Sequence, residues 1–137
     1  MISILLVIAM IASLATMTSA RASKYLDDYS ALNVADGGGK VSCDVIVNGV
    51  KTMSKIGVQS LEIQEKTSIN GRWHTYEVRY GVDDPSEFYW TNNYTYCNTF
   101  EYTGTIGYYY RVIVTAYAGN STGSDTGTVT SAEVRCV

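Results

Sequence analysis

The chain has 137 residues and a formal charge of −3, with twelve Tyr, twelve Gly, one Pro, one His and three Cys. Lys and Arg are not clustered as a nucleic acid or an anionic membrane would require, so neither partner is expected. One His and three cysteines without a C-x-x-C spacing cannot complete a usual zinc set, so no metal site and no cofactor are expected.

From Ile2 to Ala12 the chain is apolar except at Ser3, and it continues through Ser13-Leu14-Ala15 into Thr16-Met17-Thr18-Ser19. This run is too short and too broken for a membrane span, which needs about 20 apolar residues. Ala20-Arg21-Ala22 sets small side chains where a signal peptidase must accommodate them. Residues 1–22 therefore read as a helical signal peptide cut before Ser23, with Ala20 as an alternative cut. The pattern departs from the usual one in having no Lys or Arg ahead of the apolar run. Residues 23–137 then form a single domain of ordinary size, carrying a charge of about −4 once Arg21 is gone. With no cysteine at the cut and no apolar C-terminal tail, this domain is expected to be released outside the cell as a monomer.

Many Thr, Tyr and Val punctuated by Gly indicate strands joined by turns. Ser30–Ala35 reads as a first strand, followed by the breaker Asp36-Gly37-Gly38-Gly39. Val41, Cys43, Val45 and Val47 then alternate with Ser42, Asp44 and Asn48, which assigns the first set to a core face and leaves Ile46 as the exception. Leu61 and Ile63 alternate with Glu62 and Gln64. The strand runs to Asn70-Gly71, which predicts a type I′ hairpin because both residues tolerate positive φ. The return strand spans Trp73–Tyr80. Farther on, Phe100, Tyr102 and Ile106 alternate with Thr99, Glu101, Thr103 and Thr105. Tyr108, Tyr110, Val112, Val114, Ala116 and Ala118 define the clearest buried face. Gly119–Ser124 turns the chain, and Thr126–Val137 closes it. About seven antiparallel strands at this spacing predict an all-β protein, a two-sheet sandwich in preference to a barrel, although pattern alone admits both.

The stretch Tyr110-Arg-Val112-Ile-Val114-Thr-Ala116, with Gly119-Asn120 and Gly123-Ser124, resembles the penultimate strand and following loop of fibronectin type III and immunoglobulin-like domains. The likeness covers about the last third of the chain, and the Trp and Pro landmarks of that family are not in clear register. It implies that Tyr110 or Tyr108 pins the strand corner with its hydroxyl. It also implies that Cys43 and Cys136, brought to one end in different sheets, form the disulfide and leave Cys97 over. Taken with the signal and the start Ser23-Lys24-Tyr25-Leu26-Asp27-Asp28-Tyr29-Ser30, the whole resembles short secreted proteins of Gram-positive Firmicutes without a characterised function. That likeness implies a bacterial source, in which the sequons at Asn93 and Asn120 are chemically idle.

His74 is the lone candidate for a general base, and a small hydrolase would have to use it; a solvated strand histidine is the plainer role. Asp83, Asp84 and Glu87 offer oxygen ligands without the spacing of a calcium loop, and Asp27-Asp28 is a similar solvated pair. The segment from Phe88 to Tyr96 is different, because its aromatics are too dense and irregular for all to enter a core. Exposed rings on a rigid sandwich stack on sugar faces or on a protein. Tyr89, Trp90 and Tyr94, with Trp73, are thus the candidate ligand-binding residues of a non-catalytic module for cell-surface glycan or extracellular protein. Alternatively, Tyr89 and Trp90 roof one end of the core in a structural or accessory domain.

Overall fold

The structure, a computed structural model, describes residues 16, 17 and 23–137, so all of the expected signal peptide except Thr16 and Met17 lies outside the described residues. Its strands are β1 (Thr16–Met17), β2 (Leu26–Gly37), β3 (Lys40–Met53), β4 (Lys55–Lys66), β5 (His74–Tyr80), β6 (Tyr89–Trp90), β7 (Asn93–Thr103), β8 (Tyr109–Asn120), β9 (Gly123–Thr130) and β10 (Val134–Arg135). One helical turn, α1 (Pro85–Phe88), precedes β6. Seven of these strands are long; β1, β6 and β10 are two-residue pairings.

Two antiparallel sheets pack face to face. One runs β1-β2-β3-β7 and the other β10-β8-β4-β5, with β9 also paired to β8 and β6 to β4. The protein is therefore an all-β sandwich. The alternating residues of β3 behave as their pattern predicts: Val41, Cys43, Val45 and Val47 are buried, while Ile46 faces out. Ile56, Val58, Leu61 and Ile63 of β4 and Tyr110, Val112, Val114, Ala116 and Ala118 of β8 meet them from the other sheet. A one-residue slip of β3 would expose its four apolar side chains, costing roughly 6 kcal/mol or more at 1.5–3 kcal/mol each, and this fixes the register. Asn33 crosses the core as a polar link with both its side-chain nitrogen and oxygen hydrogen-bonded. Its Nδ2 donates to Tyr110 O at 3.2 Å, and its Oδ1 accepts from the Tyr102 hydroxyl at 3.0 Å.

Three expectations about turns and ends need correction. The primed turn is at Gly38-Gly39, where both central residues have positive φ between the paired Gly37 and Lys40. Asn70 and Gly71 have no positive φ, and the connection between β4 and β5 is a seven-residue loop in which Gly71 N–H donates to Ser68 O. A loop of that length removes the twist constraint that makes a two-residue turn need φ > 0. Ile106 lies outside β7 and is 66% exposed. The closing strand is interrupted, since Thr130 pairs with Ile113 but Val134 pairs with Tyr110, leaving one extra residue on that side. Ser131 occupies the irregularity, with its N–H donating to Val112 O and its Oγ accepting from Val112 N–H.

Of the two tyrosines considered for the corner, Tyr110 makes the bond. Its hydroxyl accepts from Thr105 N–H at 2.7 Å and donates to Glu65 at 2.9 Å. Gly104 permits this approach, because a Cβ there would stand 2.6 Å from the Tyr110 ring.

Candidate functional site

The sequence around Gly57 builds a cleft. A side chain at this position in β4 would collide with the Phe88 carbonyl, so only glycine lets the chain from α1 to β6 lie against the strand. There β6 pairs with β4 through Ile56↔Trp90 and Gly57↔Tyr89. Pro85, whose fixed φ suits a first helical position, opens the single turn α1 that lifts the chain onto this edge. Gly81 gives a second close approach, since a Cβ there would stand 2.6 Å from the Tyr89 ring.

The resulting recess has a volume of about 720 Å³ and is lined by Ser54 between β3 and β4, by Lys55 at the start of β4, by Pro85, Ser86, Tyr89, Trp90 and Thr91, and by Asn93 at the start of β7. Its aromatic wall is held from behind. Trp90 meets Tyr96 edge to face with ring centres 5.1 Å apart, and Tyr89 meets Tyr117 likewise at 5.7 Å. Tyr96 is fully buried and donates its hydroxyl to Glu87 O at 2.8 Å, tying the core to the end of α1. The Lys55 ammonium stands 4.0 Å from the Tyr89 ring centre and 5.4 Å from that of Tyr117. Burial raises the Tyr89 phenol above its ordinary value, and the neighbouring Tyr117 adds to the effect.

The aromatic segment thus divides. Phe88 is buried against Phe100 at 4.9 Å and Tyr96 is buried too, so these two roof the core. Tyr89 and Trp90, the latter 37% exposed, both line the cleft from opposite faces of β6, Trp90 packing toward Tyr96 and Tyr89 toward Tyr117. Tyr94 is 62% exposed but does not line the recess; its neighbour Asn93 does, as the alternating faces of a strand require. Trp73 is not brought to the site. It sits beyond the far end of β4, its ring centre 4.7 Å from the Lys66 ammonium and 4.4 Å from the Arg111 guanidinium.

His74 opens β5 as an exposed residue, and its ring hydrogen-bonds to no acid or nucleophile among the described residues. Asp84 accepts from Ser86 Oγ at 3.2 Å and Asp28 accepts from Asn48 Nδ2. Burial raises the Glu87 carboxyl, helped by a hydrogen bond and the charge of Asp84 and opposed by Arg79. The described residues contain no cluster of three or more His, Cys, Asp or Glu that could hold a metal ion. Cys43 and Cys136, the pair implied by the fibronectin likeness, are both fully buried, and the structure carries all three cysteines as free thiols, with Cys97 exposed.

Sequence reasoning reached Tyr89 and Trp90, with Asn93 in the same aromatic segment, but not Ser54 or Lys55, which join them through the pairing of β6 with β4. Gly57 was the available signal, because a glycine inside a strand pattern marks a close backbone approach.

No family model matches the chain, and no curated protein matches it. Among solved structures, the X-ray structure of the Northeast Structural Genomics Consortium target SoR45 is similar over 90% of this chain and 81% of that one, at 11% identity and a TM-score of 0.41. A likeness at this level carries nothing about activity.

Proposed function

We propose that the protein is a secreted, non-catalytic binding or adhesion module of the immunoglobulin or fibronectin III type, taking a glycan or a protein with the Tyr89–Trp90 cleft. The observation that carries this reading is Trp90, a large ring left 37% exposed on a recess built by glycine-permitted backbone contacts. A cleft of about 720 Å³ lies in the range of 300–1,000 Å³ common for ligand sites, and rings beside hydroxyl and amide groups suit a ligand with both flat and polar faces. Export rests on the pattern of residues 1–22, and N-terminal sequencing of the exported chain should return Ser23.

A glycan array and a cell-surface pull-down, each run with the wild type and Trp90→Ala, test the binding role. Retention should fall about tenfold or more in the variant, as for a central aromatic anchor. Retention indifferent to Trp90 would sink the assignment. The burial of Phe88 and Tyr96 favours a second reading, an accessory domain whose aromatics close the core, and that reading gains if no ligand is retained.

A further inference from the structure

We infer that the cleft takes a saccharide bearing an anionic group, with Lys55 as the residue that reads the charge; this rests on the binding role proposed above. Lys55 is the charged side chain of the lining, and its ammonium is fixed over Tyr89 by the cation–π contact. Neither a carboxylate nor a hydrogen-bond acceptor engages it among the described residues. The three N–H donors of the ammonium thus have no protein acceptor among the described residues, and an anionic ligand can take them without breaking an internal bond.

The rest of the lining favours a sugar over a polypeptide. A stable protein interface buries about 800 Å² on each partner, whereas this recess is of small-ligand size. Trp90, 37% exposed, presents ring surface for the C–H face of a pyranose. Around them, Asn93 uses Nδ2 on Thr91 O at 2.8 Å, leaving Oδ1 to accept from a ligand hydroxyl. Ser54 donates Oγ to Gly119 O at 3.1 Å and keeps its lone pairs for a second hydroxyl. Lys55 lines the same recess as these two groups and Trp90, which makes it the one charged side chain there, among the described residues, to receive a carboxylate or sulfate on the sugar's edge.

The test uses titration calorimetry with three probes: a uronic-acid tetrasaccharide, its carboxyl-reduced neutral counterpart of the same linkage, and a sulfated neutral counterpart. Wild-type protein should bind one of the two anionic probes about tenfold tighter than the neutral one, the value of a charge-assisted hydrogen bond, and which one it prefers identifies the anion. In Lys55→Met, which keeps the stem over Tyr89, that preference should vanish while neutral binding persists. Thermal unfolding of both proteins verifies that the fold is retained. Equal binding of anionic and neutral probes, or a preference that survives Lys55→Met, overturns the inference and leaves a neutral-glycan role standing. Binding of no saccharide, with a polypeptide retained through Trp90, overturns it in favour of a protein partner. Loss of all retention sinks the binding role as well.

Discussion

At one end of β4, the Lys66 ammonium lies 2.6 Å from Glu133, 2.8 Å from Ile69 O and 4.7 Å from the Trp73 ring centre. At the other end, roughly 35 Å along the strand, Lys55 stands over Tyr89 with no anion beside it. The chemistry of the two ends is the same, a lysine against aromatic rings. They differ in solvent. Lys66 is 6% exposed, and an ammonium removed from water must be paired and hydrogen-bonded or it is strongly destabilising. Lys55 keeps its water, so it needs no internal partner. The comparison separates a cation–aromatic cluster closed by internal partners from one without them, and Trp73 and Trp90, both named as candidates from the sequence, fall on opposite sides of it.

The strongest way to break the comparison is to remove the open end. Gly57→Ala places a methyl group against the Phe88 carbonyl, so β6 must leave β4 and the cleft with it. A loss of about 3 kcal/mol is expected, as for a backbone collision that packing cannot absorb. Chemical denaturation measures it, and a stability within 0.5 kcal/mol of wild type would show that the cleft is not built by that contact.

The two lysines give the next effect. Lys66→Met keeps the stem but deletes the ion pair, the bond to Ile69 O and the contact with Trp73, and should cost about 2 kcal/mol. Lys55→Met should cost under about 1 kcal/mol, the value of an exposed cation–π contact. Equal losses would erase the distinction between the two ends.

Much of this contrast was illegible before the strands were paired. The alternation of Val41 to Val47 and of Tyr110 to Ala118 reports a buried face directly, because side chains in a strand point to opposite sides with period two. The aromatic run at residues 88–96 likewise announced that some rings stay outside. Partners distant in sequence could not be read this way. Lys55 reaches Tyr89 because β4 pairs with β6, and Lys66 reaches Glu133 because both lie against β8 at the far end. Asn70-Gly71 misled because its turn chemistry is a local preference, and the seven-residue loop that carries Trp73 to Lys66 and Arg111 overrides it.

High pH acts on both ends at once. Burial raises the phenols of Tyr96 beneath the cleft and of Tyr102 and Tyr110 near the closed end. Each phenol is neutral when protonated, so the fold binds its proton more tightly than the unfolded chain does. Their contribution to stability is complete below the ordinary value near 10 and is lost as pH climbs from there toward the raised folded values. Denaturation midpoints measured between about pH 8 and pH 11 should fall above pH 10, and Tyr102→Phe should make the fall shallower. A flat profile would mean that these hydroxyls are solvated.

The smallest effect concerns the thiols, and it tests whether the closed end is as dry as Lys66 implies. Cys136 bonds through its backbone to Tyr108 and Gly107 beside that end, while Cys43 lies in the core with its thiol pushed up to about 12 by burial and the charge of Asp44. Cys97 faces solvent on β7, opposite Ile46. A thiol reagent at neutral pH should therefore modify one cysteine in the folded protein and three after denaturation, and Cys97→Ser should abolish the folded-state reaction while shifting stability by no more than about 0.5 kcal/mol. A folded count above one would show water reaching the core at the closed end. A denatured count of one that rises to three only with reductant would mean that Cys43 and Cys136 are bridged, adding a covalent tie between the sheets to an end already closed by Lys66.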